Sequence, residues 1–161
     1  QMLSNPDAAV YVEKKEDAEG YAIDNIEGNI PMSMGVLSAV EANAIFNTVP
    51  FDMTFVDADN KVKFVTQGKE HIFDRPASVI GRPVHLCHPP QSVHVVMKIV
   101  EQLRSGEKDH EDFWINMRGK MVHIRYYAVR DEQGEFLGTL EVTQDITEIR
   151  ALEGEKRLMS E

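Results

Sequence analysis

Hydrophobic and polar residues alternate with a period of two in five short stretches of this 161-residue chain. Such alternation is typical of β-strands that bury one face and expose the other. The turn-forming sequences DADN at 57–60 and DEQG at 131–134 separate strands that follow each other closely. The pattern therefore predicts an antiparallel sheet with one buried face. Its strands are expected at residues 51–57, 61–66, 109–118, 121–129 and 136–146.

Two other segments carry the spacing of three to four residues that is typical of amphipathic helices. The first is GVLSAVEANAIFNTV at 35–49, which Pro50 ends. The second begins at Pro89–Pro90, because proline is favoured in a first helical turn, and ends at Ser105–Gly106. The apolar stripe of this second helix consists of Val93, Val96, Met97, Val100 and Leu103.

Residues 68–84, which lie before the second helix, mix short apolar pairs with proline and glycine. This composition predicts short helical turns joined by loops. The order along the chain is then a helix, two strands, a helical connection and three strands. That order favours a small α+β domain, in which a five-stranded antiparallel sheet carries helices on one face.

The acidic balance of the chain excludes some classes of partner. A net charge of -10 at pH 7 argues against a nucleic-acid partner and against an anionic membrane surface. No apolar run approaches the roughly 18 residues that a membrane-spanning helix needs. The single cysteine cannot form an internal disulfide, so we expect a cytoplasmic protein. Residues 1–34 are polar and acidic, which indicates a linker or docking arm from an upstream region.

Three local sequences resemble those of PAS domains in the same order. DADNKVKFVT at 57–66 resembles the first PAS hairpin, and ASVIGRPV at 77–84 resembles the step before the long PAS helix. GEFLGTLEVTQDITEIRALE at 134–153 resembles the PAS ending, where the last strand runs through D-I-T-E into an exit helix. The resemblance covers about residues 36–150 and implies a PAS domain at 35–147, followed by an exit helix at 148–161.

A narrower resemblance concerns the PAS module at the C-terminus of bacterial hemerythrin-like proteins. It rests on CHPPQSVHVV at 87–96, FWINMRGK at 113–120 and GTLEVTQDITEIRALEGEKRL at 138–158. The His/Glu di-iron chemistry of those proteins belongs to a preceding helical domain and is not implied for these residues. The resemblance implies a sensory or protein-interaction module in bacterial signalling.

The segment VHLCHPPQSVH at 84–94 holds three histidines and the only cysteine. Imidazole and thiol groups suit zinc or haem iron, although the spacing differs from that of a closed zinc site. The resemblance to PAS domains implies His85 or His88 as axial haem ligands, whereas His94 falls on the polar flank of the long helix. The alternative is a structural role, in which His88 caps the helix and His85 fills the neck between loop and sheet.

A ligand cavity between the sheet and the helices is the second candidate site. PAS cores commonly leave room for haem or another small molecule, and the alternative is a solid core. Besides His85 and His88, the residues expected to line the cavity are Phe64, Met97, Phe113, Ile115, Ile124, Tyr126 and Leu140. Phe55 and Val142 are expected to face inward with them.

Strict alternation places Trp114, Tyr127 and Leu137 on the opposite face of the sheet. Large apolar groups there need cover, either from the 35–49 helix or from a second chain. PAS domains use this face for dimers, so the resemblance implies a homodimer. Ile149 and Leu152, with two later residues at helical spacing, predict a seam along the exit helix, and the alternative is a frayed tail.

An enzymatic role is not expected. Cys87 beside His88 suggests a thiol nucleophile, but sequence neighbours point apart in an extended segment. Neither an oxyanion hole nor a glycine-rich phosphate loop is recognisable.

Overall fold

The computed structural model describes residues 27–69 and 71–159, so the acidic arm before residue 27 lies outside the described residues. Its central sheet consists of the strands β3 (Asp52–Asp57), β4 (Val62–Val65), β5 (His110–Met117), β6 (Lys120–Arg130) and β7 (Phe136–Asp145). All neighbouring strands are antiparallel, in the order β4–β3–β7–β6–β5. The predicted α+β fold and its five strands are confirmed.

The long helix α2 (Val93–Ser105) packs on the inner face of the sheet. Its buried side chains are Val96, Val100 and Leu103, as the apolar spacing predicts. Gly106 ends the helix in the left-handed conformation with φ 86°, which glycine adopts without steric cost. The helix begins at Val93 and not at the two prolines, and residues 90–92 form a turn before it.

The connection between β4 and α2 also lies over the inner face. It contains two short 3₁₀ turns, Ala77–Val79 and Val84–Cys87, which agrees with the predicted helical turns and loops. Two backbone hydrogen bonds tie it to β4, one from Val62 N to Arg82 O (3.0 Å) and one from Gly81 N to Val62 O (2.7 Å). The connection therefore forms a wall that is attached to the edge of the sheet.

The N-terminal part differs from its prediction. A small sheet of β1 (Asn29–Pro31) and β2 (Val36–Ser38) precedes α1 (Ala39–Thr48), so the helix predicted from residue 35 begins four residues late. Ser38 and Glu41 form a capping box that fixes this start. Helix α1 buries none of its residues, and it meets the outer face of the sheet through Phe46, whose ring packs edge-on against Phe64 at 5.6 Å.

The exit helix is much shorter than predicted. Helix α3 (Thr147–Arg150) has four residues, and the chain continues to residue 159 without further helix. Ile149 and Leu152 are exposed, and the helical seam predicted beyond residue 150 is wrong. Within the described ranges, no helix is long and apolar enough to cross a membrane.

The register of β7 decides which side chains share a face, because directly paired residues in an antiparallel sheet point the same way. Glu141 pairs with Tyr126 on one side and with Thr54 on the other, on the inner face. Leu140 pairs with Phe55 and Tyr127 on the outer face. The expectation that Phe55, Phe64, Leu140 and Val142 face inward is therefore wrong.

Candidate functional site

A small cavity lies between the inner face of the sheet and the connection that precedes α2. Its volume is about 30 Å³, which is room for about one water molecule. The lining combines branched aliphatic groups with polar and charged ones. The lining residues are Thr54, Val56, Val62, Arg75, Val79, Val84, Cys87, His88, Tyr126 and Glu141.

The cavity does not fit haem. Pockets for ligands of that kind usually enclose several hundred cubic ångströms, about ten times the space found here. Of the proposed axial ligands, His85 is exposed, whereas His88 is half-buried and lines the cavity. The residues present therefore provide one imidazole at the cavity without space for a porphyrin beside it.

An ion pair occupies one side of the cavity. Arg75 Nη2 donates to Glu141 Oε1 at 2.9 Å, and the two side chains are 24% and 12% exposed. Arg75 comes from the connection, where its guanidinium also lies 5.5 Å from the centre of the Phe73 ring. Glu141 comes from the central strand β7. Two charges at this depth need each other, since removing either one leaves the other charge poorly solvated.

Tyr126 extends this polar cluster. Its side chain hydrogen-bonds to Glu141, and burial together with the nearby carboxylate raises the pKa of the phenol. Tyr126 therefore stays protonated and donates to Glu141 at any physiological pH.

The two titratable groups at the mouth of the cavity are held uncharged. Burial is the main cause that raises the pKa of the Cys87 thiol and that lowers the pKa of His88. Cys87 is then a thiol at neutral pH, and thiols are poor nucleophiles and poor metal ligands. The charge at the cavity is therefore concentrated in the Arg75–Glu141 pair.

Polar residues also flank Glu141 along β7. Thr139 and Thr143 share its face and are 3% and 2% exposed. Within the described residues, neither hydroxyl has a hydrogen-bond partner. The inner face of the central strand is therefore polar where most sheets of this kind are apolar.

The predicted cavity residues are distributed over several environments. Tyr126 and His88 line the cavity. Ile124 is buried beside Leu103, and Met97 packs against the valine cluster that forms the cavity wall. Phe113 and Ile115 lie on the inner face of the edge strand β5 and remain more than a third exposed.

The metal site predicted at His85, His88 and His94 finds no support in the described geometry. In residues 27–69 and 71–159, no group of three or more histidine, cysteine, aspartate or glutamate side chains is close enough to hold a metal ion. His85 and His94 are exposed, whereas His88 points towards the core. The clustering of these histidines is therefore a feature of the sequence alone.

The outer face carries the residues that we expected at a dimer interface. Trp114 is 63% exposed, with its ring edge-on to His123, and Tyr127 is half-buried. Leu137 is the extra residue of a β-bulge between β6 and β7, so strict alternation does not apply to it. Dimerisation through this face stays a prediction.

Sequence reasoning missed the two residues at the centre of the site. Arg75 and Glu141 are 66 positions apart, and no spacing rule connects them. One signal was available, since Thr139, Glu141 and Thr143 alternate with apolar residues in a strand at the centre of the sheet. Since the fold buries Thr139, Glu141 and Thr143, the polar positions of this strand mark its inner face.

Comparison with known proteins identifies the fold family. A family model described as a PAS domain matches residues 42–147. A crystal structure of a C-terminal domain from Streptococcus mutans is 38% identical, with a TM-score of 0.74, over 78% of this chain and 98% of that one.

More distant structures share the fold alone. The PAS domain of a protein from Colwellia psychrerythraea is 16% identical with a TM-score of 0.51, over 68% of this chain and 97% of that one. The Vibrio cholerae VqmA dimer is 17% identical with a TM-score of 0.52, over 75% of this chain and 58% of that one. No curated protein sequence matches the chain significantly. The match to the family model spans most of the chain, and the chain therefore belongs to the PAS domain family.

Proposed function

We propose that this chain is a non-catalytic sensory module of bacterial signalling that responds to a small molecule in its core cavity. The Arg75–Glu141 ion pair carries this proposal. A buried ion pair adds little to stability, and apolar residues of the same volume often serve as well or better. Its presence in the lining of a cavity is therefore better explained by recognition of a polar ligand than by stability.

The construction of the cavity wall supports a role in sensing. The connection contributes Arg75, Val79, Val84, Cys87 and His88 to the lining, whereas the sheet contributes the remaining residues. A molecule larger than this cavity must extend out of its mouth or displace this wall from the sheet. Glu141 lies on β7, and β7 leads directly into α3, so the ligand would contact the strand that leaves the domain.

A fragment screen tests the sensing function. Uncharged, anionic and cationic molecules of fewer than about ten heavy atoms suit a cavity of this kind. Each is titrated into ¹⁵N-labelled protein while amide signals are followed. We expect at least one fragment to shift cavity residues saturably and to shift Ile146 and Thr147 with the same affinity. The proposal fails if no fragment of any charge binds at the cavity, or if the junction signals never respond.

We also propose that the module forms a homodimer through the outer face of the sheet. Helix α1 meets this face at Phe64 on β4, which is at the opposite edge of the sheet from Trp114 on β5. An exposed tryptophan on the same face as Tyr127 is the kind of apolar group that interfaces favour.

Sedimentation tests the dimer with a matched control. Trp114→Ala should shift the protein towards monomer, whereas Leu86→Ala should sediment like the wild type, since Leu86 is similarly exposed but lies in the connection. A monomeric wild type, or a Trp114→Ala protein as dimeric as the wild type, would contradict this interface.

We further infer that the module is the C-terminal part of a longer cytoplasmic protein of the hemerythrin-like type. The similar Streptococcus mutans structure is itself a C-terminal domain, and the sequences at 87–96 and 138–158 support the comparison. Sequencing of the coding region upstream of residue 1 tests this, because a helical domain with a His/Glu metal motif is expected there.

A further inference from the structure

We infer that the ligand of this cavity carries no net charge and presents a hydrogen-bond donor and an acceptor on neighbouring atoms, as a carboxamide does. This inference rests on the proposed sensory function and specifies the chemical class of its signal. It follows from the charge, the hydrogen-bonding capacity and the size of the site.

Charge is the first constraint. The lining contains one cation, Arg75, and one anion, Glu141, and they are paired at 2.9 Å. A carboxylate ligand on the free donors of Arg75 would bring a second negative charge beside Glu141, with one cation to offset both. An ammonium ligand on Glu141 would in the same way bring a second positive charge beside Arg75. An uncharged polar molecule avoids both penalties, because the two charges continue to offset each other.

Hydrogen-bonding capacity is the second constraint. A guanidinium has five N–H donors and a carboxylate has about four acceptor positions. The bond between Arg75 and Glu141 uses one of each, and Tyr126 donates one more to Glu141. Unused N–H donors therefore remain on Arg75, and unused acceptor positions remain on the adjacent Glu141. A carboxamide matches it, since its carbonyl oxygen accepts from Arg75 and its N–H donates to Glu141.

Size and shape are the third constraint. The apolar part of the lining consists of four valines, Val56, Val62, Val79 and Val84. Because the cavity holds only about one water, a ligand with a larger apolar group must displace the connection or extend into solvent. A short branched aliphatic group beside the polar group is the best match for this wall.

Three probes with the same carbon skeleton test the inference. They are isobutyramide, isobutyrate and isobutylamine, which differ in charge at neutral pH. Each is titrated into the wild-type protein at neutral pH, and the Kd is taken from amide shifts of the cavity residues. We expect millimolar binding of isobutyramide, with a Kd at least about tenfold below that of either ion.

Two variants reverse the preference. Glu141→Gln leaves Arg75 as an unpaired cation, so isobutyrate should become the tightest of the three probes. Arg75→Gln leaves Glu141 as an unpaired anion, so isobutylamine should become the tightest. Glu101→Gln is the matched control, because it removes the same charge from an exposed pair with Arg104 and should keep the wild-type order.

The outcomes separate this inference from the function on which it rests. If the wild type binds isobutyrate or isobutylamine as tightly as isobutyramide or tighter, the inference of an uncharged ligand is overturned. The proposed sensory function is not affected by that result. Failure of all three probes, while a fragment of another class binds the cavity, would also overturn the inference alone. Failure of every fragment would overturn both. The wild-type comparison decides the question even if a variant does not fold.

Discussion

The central strand β7 carries different kinds of side chain on its two faces. On the outer face, β7 presents Leu140 and Val142, which pack beside Phe55 and Met53 of β3. On the inner face, the same strand presents Glu141 between two buried threonines. Within β7, the side chains that point away from the long helix are therefore the apolar ones, and those beneath α2 and the connection include the buried charge.

The side chains on the two faces of β7 also find their contacts in different parts of the molecule. Side chains of neighbouring strands lie beside each other on the outer face, so apolar packing there is local to the sheet. The inner face depends on a residue from outside the sheet, because Glu141 is neutralised by Arg75 of the connection. Along β7, the outer side chains therefore pack within the sheet, whereas the inner ones meet the connection, where we propose that a ligand binds.

The largest effect is expected at Gly138 on the outer face. A Cβ atom at this position would overlap the carbonyl oxygen of Val56 and lie 2.8 Å from the Phe55 ring. Gly138→Ala should lower the free energy of unfolding by about 4 kcal/mol or more, because two central strands must move apart. Chemical denaturation measures this loss.

Gly134 provides the control for that measurement. It also has a positive φ of 84°, but beyond its chain neighbours no atom lies within 4 Å of the place that a Cβ would take. Gly134→Ala should therefore cost only the backbone strain of about 1–2 kcal/mol. If both variants lose the same free energy of unfolding, the close contact at Gly138 does not explain why glycine is needed there.

An intermediate effect is expected when the inner ion pair is broken. Glu141→Leu should cost about 3 kcal/mol, because it leaves Arg75 in the core without its partner. Arg75→Met combined with Glu141→Leu should cost less than Glu141→Leu alone. A double-mutant cycle by chemical denaturation should give a coupling energy of about 1–3 kcal/mol, and additive losses would contradict the pairing.

The smallest effect concerns pH and His88. Burial lowers the pKa of His88, aided by Arg75 and opposed by the Glu141 carboxylate. The unfolded chain binds this proton near pH 6.5, whereas the folded chain does so only at lower pH. The stability linked to His88 is therefore present above about pH 6.5 and is lost as the pH falls below it.

His88→Asn should reduce this pH dependence, and the reduction should be a fraction of a kcal/mol because the side chain is only half-buried. Unfolding free energies measured between about pH 5 and 8 test it. His94→Asn is the control, since His94 is exposed on α2. A wild-type slope that survives in His88→Asn would show that other groups cause it.

The elements with strong local signals could be predicted from the sequence. The five strands and the apolar stripe of α2 follow from periodicity, because the apolar residues of each element recur on one face. The start of α1 was also encoded, since Ser38 and Glu41 have the spacing of a capping box. The prediction missed it by extending the helical period back through Val36 and Leu37.

The identity of the buried face could not be predicted in the same way. Alternation in FLGTLEVTQD separates two sets of side chains but does not say which set meets the helices. Because they are apolar, Leu140 and Val142 were expected on the inner face, but they lie on the outer face. Glu141 lies on the inner face instead, where it pairs with Arg75, 66 residues earlier in the chain. Likewise, the apolar spacing after Ile149 indicates a longer helix, but so short a segment is marginal without a packing partner.

The junction between β7 and α3 fixes the direction in which the chain leaves the domain. Asp145 accepts from the Thr147 amide and hydroxyl, and Met121 at the start of β6 exchanges hydrogen bonds with Thr147 and Ile146. These bonds brace the last residue of β7 against the neighbouring strand. The direction of the chain after Arg150 is therefore set by β6 and β7 together, and a change in the angle between these two strands would redirect it.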